Sequence, residues 1–249
     1  MSSPLVSIVI PTYNNFEGLL LSLESIKNQS FTDYEVIVID DGSSDKRYKE
    51  RKFDQKVNVI NRTINSVQKK GYFSDSIRND GIENSSGKYI AFLDDDDYWF
   101  PEKLGLQIQK LESSKFKMTS SEAVSYMGLY DEQKPSKLYN NEIVFNEISN
   151  IYKKSKLNKE FRKNFLFKFK YPSIWTSRFI SIHNCIITSS VVVEKKLLEK
   201  VGNFRDLQND KRYSDWDCWL GLLTHTDLYY FSEPLLFYSL SDGQNKRPQ

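Results

Sequence analysis

The sequence has few of the residues that build disulfide or metal frameworks, and it has no long apolar run. Only two cysteines and two histidines occur among 249 residues, and Cys185 and Cys218 lack the spacing of a zinc site. No stretch approaches the ~20 consecutive apolar residues of a membrane-spanning helix, and no basic and then apolar signal segment opens the chain. We therefore expect neither a transmembrane nor a secreted protein, and the expected location is the cytoplasm.

A strong excess of one charge sign is also missing from the chain as a whole. The formal net charge is +2 at pH 7, which argues against a nucleic-acid-binding protein. The charge is nevertheless unevenly placed, because residues 1–150 carry 18 basic and 23 acidic residues, whereas residues 151–178 carry 9 and 1. Phenylalanines alternate with lysines and arginines in this basic stretch. The pattern suits an acceptor-binding or membrane-associated surface, or a solvated insertion whose aromatic side chains pack inward.

Apolar, β-branched runs alternate with helical patterns in the first half of the chain. Strands are predicted over residues 5–10, 34–39, 57–60 and 88–93, with Pro11 ending the first, and helices over residues 16–28 and 74–83. This alternation predicts a doubly wound α/β domain. After residue 118 the pattern weakens. A strand over 183–193, a helix that ends at Gly202, a helix from about Asp215 and a strand over 235–240 are predicted there.

Polar clusters follow three of the predicted strands. They are Pro11-Thr12-Tyr13-Asn14, Asp40-Asp41 and the four consecutive aspartates Asp94, Asp95, Asp96 and Asp97. Ligands of open parallel sheets bind at the carboxyl ends of the strands. The three clusters are therefore expected to face one crevice.

The run of four aspartates has two interpretations. Mutual repulsion between adjacent carboxylates would be relieved by a hard cation, and Mg²⁺ or Mn²⁺ suits one or two carboxylates plus substrate phosphates. Alternatively, these side chains cap a helix that starts near Pro101. Both hold if Asp97 caps the helix while Asp94 and Asp96 face the metal. Asp40-Asp41 is likewise either a turn after a strand or a carboxylate that accepts the imide N–H of uracil.

The segments SIVIPTYNN, EVIVIDDGSSD and GKYIAFLDDDDYWFPEKL together resemble, in order and spacing, family 2 of the inverting glycosyltransferases. A fourth segment, residues 201–204 followed by 213–220, is similar to the acceptor-side block of that family. The resemblance implies the α/β GT-A fold, a Rossmann-like, doubly wound, mostly parallel sheet with an acceptor-binding C-terminal part. Residues 1–118 would form the nucleotide-sugar-binding half, and residues 119–249 the acceptor-binding half with a basic insertion near 151–178.

The resemblance also implies a role for each matching residue. The donor-binding residues would be Pro11, Thr12, Tyr13, Asn14, Asp40, Asp41, Arg78, Asn79, Asp94 and Asp95. Asp96, with Asp94, would bind Mn²⁺ or Mg²⁺, and Asp215 would be the catalytic base, with Asp217 as its rival. Ser214 stands where the family often has an acidic residue. The Gln-x-x-Arg-Trp motif of processive synthases is absent from the sequence, which argues against a polymerase.

The resemblance implies a metal-dependent, inverting glycosyltransferase of the hexosyltransferase type. Its donor would be a nucleotide-sugar, with UDP as the nucleotide, and its acceptor a hydroxyl of a glycan, a lipid-linked sugar or a protein. Two alternatives remain open. A sugar-nucleotide nucleotidyltransferase would need a glycine-rich loop after the first strand, and PTYNN has no glycine. A non-catalytic nucleotide- or glycan-binding module is disfavoured because Asp41, Asp96 and Asp215 are all present.

Overall fold

A computed structural model of the protein describes residues 3–65, 77–146, 171–205 and 214–240. Within these ranges the strands are β1 (Val6–Thr12), β2 (Tyr34–Asp40), β3 (Val57–Asn61), β4 (Tyr89–Phe92), β5 (Tyr98–Trp99), β6 (Met118–Tyr126), β7 (Lys137–Leu138), β8 (Ile174–Trp175), β9 (Val192–Glu194) and β10 (Leu228–Ser239). The α-helices are α1 (Phe16–Lys27), α2 (Arg47–Glu50), α3 (Ile77–Glu83), α4 (Lys103–Glu112), α5 (Ser177–Ile180), α6 (Lys195–Val201) and α7 (Ser214–Leu222). A π-helical turn covers Tyr139–Val144, and a 3₁₀ turn covers Thr188–Ser190.

One sheet runs through both halves of the described chain, in the order β3-β2-β1-β4-β9-β6-β10-β5. Strands β3, β2, β1 and β4 are parallel, and β9 is antiparallel to both β4 and β6. Because β10 is parallel to β6, the strands β1, β2, β4, β6 and β10 all end at the same edge. Strand β6 begins at the boundary predicted between the two halves. These halves share one sheet, because β4 of the first half pairs with β9 of the second.

The four strands predicted in the first half are confirmed, but the end assigned to β1 is wrong. Pro11 does not stop the strand, which continues to Thr12 opposite Asp40. The carbonyl of Val9 accepts a hydrogen bond from the N–H of Leu93, just after β4. The backbone nitrogen of Pro11, two residues later, is directed to the same side, but the last β1–β4 pair is Val9 with Phe92. The missing N–H of proline therefore removes no bond from the ladder.

The strand predicted over residues 183–193 is largely wrong. Only Val192–Glu194 is a strand, and it follows the 3₁₀ turn. The N–H and the hydroxyl of Ser190 both donate to the carbonyl of Ile187, at 2.9 and 2.6 Å. These local side-chain and backbone bonds close a turn in a segment that periodicity alone marks as extended.

The helical predictions near both ends of the described chain are confirmed. Helix α1 ends one residue before the predicted Asn28, and α6 ends at Val201 with Gly202 as its C-cap, whose φ of +85° is left-handed. Helix α7 begins next to Asp215 as expected. Residues 74–76 of the helix predicted over 74–83, and residues 151–170 of the basic stretch, lie outside the described residues. No helix of the described residues is long and apolar enough to cross a bilayer.

Apolar side chains cover both faces of the sheet. Alternate β1 residues face opposite sides, with Ile8 and Ile10 packed in the cluster that includes α1 and α4, and Val9 in the cluster that includes α3, α6 and α7. Helices on both faces confirm the doubly wound α/β prediction.

Candidate functional site

The four aspartates form a turn at the end of β4, and none of them caps the following helix. The N–H of Asp97 donates to the carbonyl of Asp94 at 3.1 Å, which closes the turn. Helix α4 begins later, with Glu102 at its cap position and no side-chain capping bond. The predicted capping role of Asp97 is wrong, because its Oδ1 instead accepts a hydrogen bond from the N–H of Ser239 at 2.8 Å. Asp97 thus ties the end of β10 to the end of β4.

The side chains of Asp95 and Asp97 turn into the protein. Asp95 Oδ2 accepts from the Thr12 hydroxyl at 2.7 Å, and burial raises the pKa of Asp95 to about 6. Burial, followed by the charges of Asp96 and Asp94, raises the pKa of Asp97 well above its ordinary value. Both carboxyls therefore bond within the protein, and the cation site at Asp94 and Asp96 stays a prediction.

Arg78 pairs directly with this turn. Its Nη2 donates to Asp94 Oδ1, and its guanidinium lies 5.8 Å from the centre of the Phe204 ring. Arg78 is buried on α3. The positive charge predicted to meet the donor therefore lies at the aspartate turn and offsets part of its repulsion.

The second cluster lies at the end of β2. Asp40 Oδ1 accepts from the N–H of Ser43 at 2.9 Å, while its buried Oδ2 has no hydrogen-bond partner among the described residues. Asp41 Oδ1 accepts from Arg62 Nη1 at 2.9 Å, and Arg62 Nε also pairs with Asp80 at 3.1 Å. Arg62 is a site residue that the sequence analysis missed. Its signal is its position one residue after β3, beside the Asp41 that follows β2.

The loop after β1 joins these two clusters, as the predicted crevice requires. The N–H of Asn14 donates to Ser43 Oγ at 2.9 Å, and Asn14 Oδ1 accepts from the N–H of Ser44 at 2.9 Å. The Tyr13 hydroxyl accepts from Asn65 at 3.3 Å. Pro11 is buried in the sheet, and Thr12 reaches Asp95. The structure thus brings the loops after β1, β2 and β4 together at one edge.

Asn79 connects two elements of the protein. Its Nδ2 donates to the carbonyl of Phe204 at 2.9 Å, and its Oδ1 accepts from the N–H of the same residue at 3.1 Å. These bonds hold the segment after α6 against α3. Both polar groups of the Asn79 amide already have these partners. The donor contact implied for Asn79 stays a prediction.

Asp215 and its rival Asp217 have different surroundings on α7. Asp215 Oδ2 accepts from Asn184 Nδ2 at 3.1 Å, and its Oδ1 accepts from the N–H of Trp216 at 2.7 Å. Asp217 forms a two-pronged salt bridge with Arg205, at 2.8 and 2.5 Å. Asn184 was missed by the sequence analysis because it lies inside the segment predicted as a strand. Asp217 is thus held by a cation and Asp215 by neutral donors, and the choice of Asp215 as the base stays a prediction.

The packing of α7 relates Asp215 to the aspartate turn. Trp219 lies one turn after Asp215 on the same helix face. Its ring packs 6.1 Å from the ring of Phe92, the last residue of β4, and 5.5 Å from the ring of Phe204. The face that carries Asp215 is therefore the face directed at the end of β4.

The residues present fit a metal ion that is shared with a substrate. Within the described ranges, no three His, Cys, Asp or Glu side chains are grouped to hold a metal by themselves. Mg²⁺, however, commonly binds through one or two carboxylates and the phosphates of its substrate. Asp94 and Asp96, both half-buried beside the buried Asp97, match that smaller set of ligands.

Comparison with solved structures identifies the class of fold. The protein is similar to Staphylococcus aureus TarS, a GT-A glycosyltransferase, with a TM-score of 0.62 and 18% identity over 94% of this chain and 36% of that chain. A complex of TarS residues 1–349 with UDP-GlcNAc gives a TM-score of 0.60 and 16% identity, over 98% of this chain and 61% of that chain. The fold class expected from the sequence is confirmed.

The chain belongs to glycosyltransferase family 2, because the sequence model described as "Glycosyl transferase family 2" matches residues 7–175. A glycosyltransferase of Rickettsia bellii is 42% identical over 129 residues, 51% of this chain and 18% of the relative. One from Rickettsia typhi is 28% identical over 97% of this chain and 66% of the relative. The "UDP-Glc:alpha-D-GlcNAc-diphosphoundecaprenol beta-1,3-glucosyltransferase WfgD" of Escherichia coli is 35% identical over 45% of this chain and 42% of the relative. The chain thus spans less than two thirds of the length of these relatives.

Proposed function

We propose that the protein is a metal-dependent, inverting glycosyltransferase that moves a sugar from a UDP-sugar to an acceptor hydroxyl. The observation that carries this proposal is the meeting of the loops after β1, β2 and β4 at one edge, with Asp215 on a helix packed against the end of β4. Family membership supports it, as do the UDP-GlcNAc complex of TarS and the UDP-glucose named for the E. coli relative.

The uridine is proposed to bind at the ends of β1 and β2. Asp41 would accept the imide N–H of uracil. Arg62 would hold the Asp41 carboxylate in place through its Nη1, which lies 2.9 Å from Asp41 Oδ1. Asp40, whose buried Oδ2 has no partner within the described chain, would face the ribose. Tyr13 and Asn14 would shape the base pocket. A buried polar atom without a partner is costly, so a ligand hydroxyl at Asp40 would be favourable.

The diphosphate is proposed to bind at the aspartate turn. Asp96, with Asp94, would hold Mn²⁺ or Mg²⁺, which when bound neutralises charge on the diphosphate. Arg78 positions Asp94 through their ion pair.

Asp215 is proposed to act as the general base. The acceptor hydroxyl attacks the anomeric carbon on the face opposite UDP, and Asp215 takes its proton. The bond from the anomeric carbon to UDP breaks in the same displacement, UDP leaves with the electron pair, and the anomeric configuration inverts. Asn184 orients the carboxylate by donating to Oδ2. The acceptor is proposed to be a glycan, a lipid-linked sugar or a protein, and a lipid-linked sugar would match the name of the E. coli relative.

A thermal-shift series tests the donor and metal assignments together. A ligand that binds the native state raises the melting temperature. We expect UDP, UDP-glucose or UDP-GlcNAc to raise it with Mn²⁺ and not with EDTA, and Asp96→Asn to remove the shift. Asp33→Asn, which changes an exposed carboxylate before β2 at the opposite edge, is the matched control and should keep the shift. Equal shifts in EDTA would contradict the metal assignment, and no shift with any of these nucleotides would contradict the donor.

A further inference from the structure

Tyr238 lies beside the aspartate turn and packs against Tyr139, and neither tyrosine has a role in the assignments above. Tyr238 is the penultimate residue of β10, and Tyr139 opens the π-helical turn Tyr139–Val144. Their ring centres are 4.9 Å apart with the planes at 78°, an edge-to-face pair. Both residues are half-buried, and both pack against the apolar cluster that includes α1 and α4.

Tyr238 faces the aspartate turn. The residue after it, Ser239, donates its N–H to Asp97 Oδ1 at 2.8 Å. Burial, then Tyr139 and the carboxylates of Asp97, Asp94 and Asp96, raise the pKa of Tyr238. A tyrosine hydroxyl, whose ordinary pKa is about 10, keeps its proton at neutral pH and can donate a hydrogen bond. No residue of the described ranges accepts that bond.

The strand order places Tyr238 across the aspartate turn from the proposed nucleotide site. Strands β2 and β1, which end in Asp40 and Thr12, precede β4 in the sheet, and β10 lies on the other side of β4, beyond β9 and β6. In a UDP-sugar the pyranose is attached to the diphosphate at the end opposite the uridine. A diphosphate at the aspartate turn, with its uridine toward β2, therefore directs the pyranose toward β10.

We propose that Tyr139 and Tyr238 form the subsite for the pyranose ring of the donor, with the Tyr238 hydroxyl donating a hydrogen bond to a sugar oxygen. An aromatic side chain with one apolar face and one polar end suits a pyranose, which has apolar C–H faces and polar edges. This assignment rests on the proposed function, since it needs a UDP-sugar in the crevice. It adds Tyr139 and Tyr238 as residues that would contact the sugar rather than the nucleotide.

Isothermal titration calorimetry in Mn²⁺ tests the subsite by comparing UDP with UDP-glucose, UDP-galactose and UDP-GlcNAc. For the UDP-sugar that binds the wild type tightest, Tyr238→Leu should raise Kd roughly tenfold, and Tyr238→Phe, which keeps the ring and loses the hydroxyl, about two- to fivefold. The Kd for UDP should change less than about twofold in both variants. Tyr229→Leu is the control, because Tyr229 is a half-buried tyrosine near the opposite end of the same strand, packed on Phe116 and Phe231.

The variants separate a sugar contact from a structural role. The subsite would be overturned by equal losses of affinity for UDP and the UDP-sugar, or by unchanged binding of the UDP-sugar in both Tyr238 variants. In either case, binding of the UDP-sugar by the wild type would leave the proposed function standing. If the wild type binds neither UDP nor any of the three sugars, the proposed function fails, and the subsite fails with it. Tyr238→Phe keeps the core packing, so the test does not depend on the folding of the leucine variant.

Discussion

Adjacent aspartates at the end of β4 have different partners in spite of their identical chemistry. Asp94 pairs with Arg78, Asp95 accepts from Thr12, and Asp97 accepts from the backbone of Ser239. Each partner comes from a different part of the chain. The sequence could therefore identify the four aspartates as a site, but it could not assign a separate partner to each of them. Asp97 is the clearest case. The local sequence predicted that it caps a helix, whereas its partner is Ser239 in a strand about 140 residues later.

Asp41→Ala should weaken the binding of uridine nucleotides and leave other nucleotides largely unaffected. The carboxylate is proposed to accept the imide N–H of uracil, and a hydrogen bond to a charged group contributes about 1.5–3 kcal/mol, so Kd for UDP should rise at least about tenfold. Calorimetry with UDP and ADP in Mn²⁺ measures the difference. Asp80→Ala is the control, because Asp80 shares Arg62 with Asp41. Equal weakening of UDP and ADP would argue against a uracil contact.

Strand β6 shows why the second half of the fold was harder to predict than the first. Its sequence, MTSSEAVSY, has few apolar residues, yet most of its side chains are buried. Hydroxyl groups bond inside the protein, as between Ser120 and Ser190 at 2.5 Å. Burial of hydrogen-bonded polar side chains leaves no hydrophobic periodicity to detect. β1, β2 and β4 were found because they consist of continuous apolar runs.

Gly81→Ala should destabilise the protein because α3 packs directly on β1. A Cβ at Gly81 would overlap the Cγ1 atom of Val9, and this overpacking costs about 1–3 kcal/mol of unfolding free energy. Gly105→Ala in α4 is the matched control, because its Cβ would meet only Ser30 Oγ at 3.4 Å. The control should gain about 0.5–1 kcal/mol from the lower entropy of its unfolded chain. Urea unfolding measures both changes, and equal effects would show that α3 is not closely packed there.

Lys103→Met should change the pH dependence of stability. Lys103 is fully buried in α4, its Nζ donates to Gln107 at 2.7 Å, and it lies 4.0 Å from the centre of the Trp99 ring. Burial lowers the pKa of Lys103 well below its ordinary value. Between that lowered pKa and the unfolded value of about 10.4, the unfolded chain binds the proton that the folded protein releases, so wild-type stability rises with pH.

The methionine variant lacks this titration. We therefore expect its advantage in unfolding free energy over the wild type to be largest near pH 7 and to shrink toward pH 10. Urea unfolding of both proteins at pH 7, 8.5 and 10 gives the difference directly. A difference that stays constant or grows with pH would show that the buried amine keeps its ordinary pKa.

The two halves of the described chain form one structure and are joined by several contacts. They share the sheet through the β4–β9 pair, Asn79 holds Phe204 through two hydrogen bonds, and Trp219 packs on Phe92. The β1, β2 and β4 ends of the crevice could be predicted, because each polar cluster directly follows an apolar run. Asn184 could not, since only tertiary packing brings its side chain to Asp215.

The central claim is that Asp215 takes a proton during transfer from a UDP-sugar, and the rate of UDP release from that sugar in Mn²⁺ tests it most directly. Asn keeps the shape of the side chain but does not take up a proton, so Asp215→Asn should bind the donor as the wild type does and turn over roughly 10²–10⁴ times more slowly. Asp217→Asn, which affects only the salt bridge to Arg205, should lose less than about tenfold. Normal donor binding with UDP release by Asp215→Asn at close to the wild-type rate would contradict the account.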